Sequence, residues 1–570
     1  MLVGSDFRPV HSTDHALDGF SGLALAVFVI VSGFCIQAVR IPLPLWVSQR
    51  GASLVGKLRI VDGQTQQRLA GQKWHVPLDL RTAPPIGLLV LLAATAADGE
   101  TIRRGIVGDS NMRPYDVLVL FISLAYLSIA LDGTGALEGL ALWVSKKAGT
   151  SGRKLFLILY AFFFFLACIV GNDPLILSGT PFLSYLVRHG DLPSPLPWIF
   201  AEFITANTGS AVLVSSNPTN VLLTGSFGLN FLTGFTKYTV LPSFIAVLAT
   251  LPILLLIFWK KIPATIVPVT ASPREALTAP WSAAFFAILL IVTIAVLVGT
   301  SFASKDVHVW MVTAPAGIVG LAYNLSSDIL HPPQSRQAAL PLETLDRQED
   351  AREGQEVQAE QQTSKEMKSA PSSSKEDALE VDSSSTTLLS LVQALRHRFP
   401  RTFLTVDRLP IPLLPFAMCQ FILVRALLEL GWIRVFASGF IRACQTPVQS
   451  AFFNTVVTAC FLCPFAGTNI GATILMVEIL RDSRFAGSAQ VQQDPKILSA
   501  AILGVAMGSN LGAFSYTFAA SLAGLLWRML LRNKGIIIKQ RTFAVLNFAP
   551  LCIQVVLAAA IIVLEVYYFI

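Results

Sequence analysis

Long apolar runs decide most of what this chain can fold into. They fall at 20–39, 115–131, 154–170, 238–258, 281–300, 307–324, 409–430 and 543–569, and a helix needs about 20 apolar residues to cross the hydrocarbon of a bilayer. Shorter or interrupted runs lie at 86–97, 175–187, 198–232, 448–480 and 498–531. Together they predict an all-α polytopic membrane protein with roughly ten to twelve crossings, plus hairpins that enter the membrane only part way. Asp, Glu, Lys and Arg make up 14% of the chain, against about 25% in soluble domains. That balance excludes a soluble enzyme. The net charge of +7 comes from basic residues in short loops, where they set membrane orientation, and no basic stripe of the kind that binds nucleic acid is present.

Between the spans the chain changes character twice. Residues 1–19 form a polar tail carrying Asp6, Asp14 and Asp18, which does not read as a secretory signal. Residues 325–404 contain SKEMKSAPSSSKED and EVDSSSTT, too polar to bury a core, and are expected to be a disordered linker. The membrane part therefore divides into 20–324, with a basic loop at 40–85, and 405–570. Lys260 and Lys261, and the later cluster Arg528, Arg532, Lys534, Lys539 and Arg541, are expected on the cytosolic side, which puts the linker there too. The chain reads as an integral multi-pass protein; plasma and organelle membranes are equally compatible. The seven cysteines lie mostly within apolar runs and are read as packing residues, with no metal and no cofactor implied.

Polar, helix-breaking residues interrupt the apolar runs at four places. These are Gly171-Asn172-Asp173-Pro174, Ala206-Asn207-Thr208-Gly209 leading to Ser215-Ser216-Asn217-Pro218-Thr219-Asn220, Phe465-Ala466-Gly467-Thr468-Asn469, and Gly508-Ser509-Asn510-Leu511-Gly512. Irregular backbone at membrane depth survives only where protein or a wet cavity satisfies it. Asn172 and Asn217 are 45 residues apart, Asn469 and Asn510 are 41 apart, so each half carries a matched pair of breaks, which points to a solute site between repeats. As cavity ligands, Asn217 and Asn469 would add little to packing. Asp173 is the carboxylate lodged in such a motif and is the candidate for ion coupling, with helix capping beside Pro174 as the alternative. Glu202, Asp132, Glu138, Glu429 and Glu478 are read as interfacial, solvated or paired residues. No nucleophile–base constellation accompanies the breaks, so no catalytic residue is assigned.

The stretches GNDPLILSGTPFLSYL, ANTGSAVLVSSNPTNVLL and MGSNLGAFSYTFAASLAGLLWRMLL followed by RNKG resemble the ion-transporter superfamily. Within it they are most similar to the arsenite permease-like branch, which includes arsenical pump membrane proteins, sodium/proton antiporters and citrate transporter-like domains. The resemblance implies two inverted repeats, each with a re-entrant hairpin and a broken helix. By that likeness Asn172, Asp173 and Thr180 belong to the first hairpin, and Ser216, Asn217, Thr219 and Asn220 to the first broken helix. Thr468 and Asn469 then mark the second hairpin, and Ser509 and Asn510 the second broken helix. The dicarboxylate branch carries Ser-Asn-Thr at both hairpin tips, and this chain has Gly-Asn-Asp and Gly-Thr-Asn instead.

The expected activity is secondary transport of a small inorganic anion or metalloid such as arsenite, with proton-coupled efflux. Sodium/proton antiport centred on Asp173, and anion or dicarboxylate transport, are the alternatives within the superfamily; a channel or scaffold is the alternative outside it. The partners implied are the solute, a coupling H+ or Na+ and the lipid bilayer, and a homodimer stays open. No G-x-x-x-x-G-K-[ST] motif is present, so direct ATP coupling by this chain is not expected. Deletion of residues 335–390 should leave membrane expression and solute flux near full-length levels, because so polar a segment has nothing to contribute to a core; flux assays on the deletion variant check this.

Overall fold

The computed structural model describes residues 2, 7–10, 15–58, 63–108, 113–190, 192–268, 272–303, 308–330, 388–411 and 413–570. The linker expected at 325–404 thus lies largely outside the described residues. The chain forms two compact units. The first comprises Met1–Val39, Leu78–Gly320 and Arg408–Ile570, and the second Arg40–Pro77 and Leu321–Asp407. In the second unit, Leu45–Lys57 and Gly63–Gly71 are short helices and Trp74 stacks close over Gly51. Also there, Asp328 accepts from the backbone of Arg401 and Thr402, capping the helix Pro400–Arg408.

The first unit is almost wholly helical, and its elements follow the predicted spans. It begins with α1 (Gly19–Ile36), α2 (Ala83–Ala93) and α3 (Pro114–Asp132). Asp18 caps α1 by accepting from the Ser21 N–H at 2.8 Å, so the polar tail ends where the membrane helix begins. Next come α4 (Gly152–Val170), α5 (Asn172–His189), α6 (Leu196–Gly209), α7 (Pro218–Phe227) and α8 (Lys237–Phe258). Two long apolar helices, α9 (Pro280–Ala303) and α10 (Val309–Leu330), lead towards the linker. After it follow α11 (Leu413–Glu429), α12 (Trp432–Ala443), α13 (Pro447–Val456), α14 (Asn469–Arg481), α15 (Lys496–Leu511), α16 (Leu522–Asn533) and α17 (Gln540–Phe569). Among the described residues nine helices are long and apolar enough to cross a membrane, or ten if α11 and α12, bent by 81°, form one broken span.

One order of elements occurs twice. A long helix (α4, or α13 with its π-helical continuation Val457–Leu462) runs to a glycine with positive φ, Gly171 at +88° or Gly467 at +93°. A helix beginning on asparagine follows, α5 or α14, and then a helix that ends in irregular backbone, α6 or α15. A short helix (α7 or α16) and a long one (α8 or α17) complete each set. Packing is reciprocal as well: α4 lies on α6 as α13 lies on α15, and α8 lies against α17. Across the halves, α5 packs on α16 and α7 on α14. Repetition of the order is a fact of the fold; inversion of the two sets across the membrane remains an expectation.

Small residues allow the closest of these contacts, as is usual where lipid offers no hydrophobic driving force between helices. Gly504, Gly508 and Gly512 succeed one another at four-residue spacing at the end of α15, on one face. A Cβ at Gly508 would stand 2.8 Å from the Thr455 carbonyl oxygen, and one at Gly512 would stand 2.6 Å from Cys463 Sγ. Polar ties fix register inside the apolar interior: Thr208 Oγ1 donates to Gln554 Oε1 at 2.8 Å, and Gln554 Nε2 to Thr250 Oγ1 at 2.9 Å, joining α6, α17 and α8. Beside them Trp527 of α16 stacks on Phe203 of α6, with ring centroids 4.5 Å apart. Gly508→Val should cost about 3 kcal/mol by overpacking the contact of α15 with α13, read as loss of the monodisperse peak or a lowered melting temperature in detergent.

Candidate functional site

The breaks are held together by side-chain amides, and one residue sits at their centre. Asn510, fully buried near the end of α15, accepts at Oδ1 from Asn217 Nδ2 (2.8 Å) and from Ser210 Oγ (3.1 Å). Its Nδ2 donates to Asn220 Oδ1 (2.8 Å) and to the Ala506 carbonyl (2.9 Å). Asn220 Nδ2 in turn donates to the carbonyls of Ser210 and Leu213 (2.8 and 2.9 Å) in the irregular backbone before α7, where Leu213 also accepts from the Ser216 N–H of a single 3-10 turn. Asn217 caps α7: its Oδ1 accepts from the Thr219 N–H and Oγ1 at 3.1 and 3.0 Å. Backbone polarity exposed by unwinding is thus satisfied by asparagine, and through Asn510 one half supplies atoms that the other half needs.

The first hairpin joins this junction through a residue the sequence reading left out of the candidate set. Asn172 Nδ2 donates to Asn207 Oδ1 at 3.0 Å, and Asn207 Nδ2 donates to the Phe203 carbonyl at 2.8 Å. Ser210 Oγ donates to the Asn207 carbonyl at 2.9 Å, so an unbroken polar path runs from Asn172 to Asn510. Gly171 must be glycine on two counts. Its φ is +88°, and an added Cβ would stand 2.7 Å from the Ser216 carbonyl oxygen, because the two breaks of this half touch there. Asp173 occupies the first turn of α5, whose cap is Gly171. Half-buried, it forms no side-chain hydrogen bond or ion pair among the described residues; the capping alternative therefore does not describe its geometry, although the helix dipole favours a negative charge there.

In the second hairpin Thr468 caps α14, accepting from the Gly471 N–H at 3.4 Å. Asn469 is buried at the start of α14 with no side-chain hydrogen bond among the described residues. Helix α14 packs on both α7 and α15, which brings the tip's helix to the elements that carry Asn220 and Asn510. Two candidate hydroxyls are spent on backbone: Ser216 Oγ donates to the Cys168 carbonyl at 2.6 Å and Ser509 Oγ to the Ala506 carbonyl at 3.1 Å. Thr180 Oγ1 donates instead to Glu202, 3.1 and 3.3 Å from its two carboxylate oxygens.

That last contact corrects a sequence expectation. Glu202 is not an interfacial residue but wholly buried in α6, and Gly179 leaves the room for it, since a Cβ there would stand 2.3 Å from Glu202 Oε1. Asp132, Glu138 and Glu478 are buried as well, Asp132 facing Arg408 at 3.3 Å and Glu478 facing Arg481 at 3.8 Å. Only Glu429 keeps partial exposure, paired with Arg425 at 3.0 Å. A helical wheel could have flagged Glu202, because the residues three and four positions away, Trp198, Ile199, Thr205 and Ala206, are all uncharged. A second expectation, that Asn217 contributes little to folding, also fails on the geometry, since it both caps a helix and donates to Asn510.

Residues 77–329 match the citrate transporter family. The chain is 31% identical over 204 residues to an arsenical pump membrane protein of Escherichia coli, covering 35% of this chain and 47% of that protein. It is 31% identical over 242 residues to an arsenical pump membrane protein of Yersinia enterocolitica, covering 40% and 55%. The chain thus spans about half the length of these relatives. The crystal structure of the Alcanivorax borkumensis YdaH transporter aligns over 96% of this chain and 98% of its own, with 13% identity and a TM-score of 0.45. The likeness to the arsenite permease-like branch of the ion-transporter superfamily, carried in the sequence by stretches at the first, second and fourth breaks, is also found in these matches to arsenical pump membrane proteins.

Asn510→Ala removes the shared partner of Asn217, Asn220 and Ser210, and each buried group left unpaired costs about 1–3 kcal/mol. A clearly lowered melting temperature is expected. Asn469→Ala should leave the melting temperature nearly unchanged, because no side-chain bond is lost. Thermal unfolding of the two purified variants beside wild type checks the contrast.

Proposed function

Proceeding from that family likeness, we propose that this chain is a secondary transporter which exports a small inorganic anion or metalloid of the arsenite kind in exchange for protons. The solute would sit between the two hairpin tips, near Asn172, Asp173, Thr468 and Asn469, with the repeats inverted across the membrane. The observation that carries the reading is the asparagine junction: broken helices of both halves meet at Asn510. Any movement of one half against the other has to exchange those bonds, which makes the junction a two-state element of the kind alternating access requires. Neutral amides and hydroxyls at both tips suit an uncharged hydroxylated solute or a hydrated anion. The names of the arsenical pump relatives support arsenite as the first solute to test.

Coupling needs a group that changes charge as the site alternates. Asp173 fits, since it is the unpartnered carboxylate at the first tip. A lone carboxylate at that position also suits a second reading, sodium/proton exchange. Glu202, buried against Thr180 of the same hairpin, is the reserve candidate.

Purified protein in liposomes, compared across arsenite, sodium, citrate and silicate with an imposed pH gradient, distinguishes the readings. Arsenite accumulation driven by the gradient is expected, and sodium flux with no arsenite flux would favour the antiporter. In Asp173→Asn, gradient-driven accumulation should vanish while exchange at equal concentrations persists. A neutral amide gives the pH difference, about 1.4 kcal/mol per unit, no group through which to act. Unchanged accumulation in that variant would transfer the coupling assignment to Glu202, tested in turn by Glu202→Gln.

A further inference from the structure

A buried amide outside every motif faces the second break without a partner. Gln420 stands in the middle of α11, fully buried, and neither its Nε2 nor its Oε1 has a hydrogen-bond partner among the described residues. Leaving both ends of an amide unpaired in a protein interior forfeits the solvation of both groups with nothing in return, so such a residue calls for a reason beyond packing. Its direction supplies one. Nε2 lies 3.4 Å from where a Cβ on Gly467 would be, and the side-chain carbon Cδ lies 3.8 Å from the corresponding point on Gly471. The amide is thus aimed at the turn Gly467-Thr468-Asn469, the tip of the second hairpin. Around the same turn, Cys35 of α1 and Phe416 of α11 come within 3.5 and 3.7 Å of the Gly467 position. One turn before Cys35 on the same face of α1, Ser32 is also buried with an unpaired hydroxyl.

We propose that Gln420 is a solute-binding residue of the second hairpin tip, and that it selects a neutral solute bearing hydroxyl groups. This deepens the transport reading and rests on it. The selectivity follows from the amide itself. A bare cation would use only acceptors and a fully ionised anion only donors, whereas a side chain presenting one N–H face and one C=O face pairs completely with an –OH, which accepts from the first and donates to the second. Asn469, whose amide is likewise unengaged, offers the same pair of functions one residue beyond Thr468. A solute such as arsenous acid, uncharged and trihydroxylated near neutral pH, would satisfy both amides together; sulfate, fully ionised and without a hydroxyl, would leave the carbonyl faces unpaired and repelled.

The test uses the full-length chain in liposomes, with the melting temperature measured in parallel. Gln420→Leu keeps the size and removes both polar functions. Its expected signature is a melting temperature equal to or above that of wild type, since an unpaired buried group has been removed, together with at least a tenfold rise in KM for arsenite. A residue that served only packing would not give that combination. Gln420→Glu should lose arsenite flux to a similar degree. Should Gln420→Leu fail to fold, Gln420→Met gives the same comparison with a more adaptable side chain. In wild type, a hundredfold excess of sulfate should leave arsenite flux unaltered. Wild-type KM in folded Gln420→Leu, or competition by sulfate in wild type, would overturn the assignment while leaving transport intact. Absence of flux for every solute in wild type would instead overturn the transport reading from which it starts.

Discussion

Backbone polar groups cannot be abandoned in hydrocarbon, and the whole interior of the first unit is organised around meeting that demand where its helices unwind. A continuous helix satisfies itself. Each break here releases carbonyls and N–H groups at depth, and the fold answers with amide side chains that reach across: Asn220 to the Ser210 and Leu213 carbonyls, Asn217 to the start of α7, and Asn510 to both asparagines. Because Asn510 belongs to the other half, local satisfaction becomes global connection. The amides that close the breaks of the first half are themselves completed by an amide of the second.

Glycine sets how near the breaks can come. At Gly171 the positive φ turns the chain from α4 into α5, and the missing Cβ lets it touch the Ser216 carbonyl. At Gly467 the same turn recurs with φ +93°, but the neighbours stand farther off, and the nearest is the Gln420 amide. The two tips are thus alike in backbone and different in surroundings. The first is tied by Asn172 to Asn207, and the second leaves Asn469 and Gln420 unengaged. Two similar turns with unequal polar satisfaction give the molecule one tip committed to structure and one with amide capacity to spare, which is an asymmetry that a transport cycle can use.

Much of this was legible in the residues because the signals were local. The apolar runs at 115–131, 154–170, 238–258 and 543–569 became helices within a few residues of their predicted ends, since hydrophobic length alone dictates a span. The pairs Asn172/Asn217 and Asn469/Asn510 marked the breaks because each Asn stands beside glycine, proline or a hydroxyl residue in an otherwise apolar stretch, a combination that needs surrounding protein to satisfy it. Glu202 escaped the reading: a charge near an expected boundary looks interfacial in one dimension, and only the packing of α5 on α6 encloses it. Asn207 belongs to the second break but falls outside the candidate set, because its role of linking neighbours in space leaves no mark along the chain.

What the sequence by itself determined is the set of helices, the places where they break and the kind of atom available at each break, all of which follow from hydrophobic period and backbone chemistry along a single stretch of chain. Which amide meets which was decided by tertiary structure. Asn510 finds Asn217 across 293 positions because α15 is drawn against α7 by close helix packing, and Gln420, in a run with no polar motif at all, faces the second tip only because α11 packs on α14. Partners so distant in the chain carry no spacing rule, so no reading along the sequence could pair them.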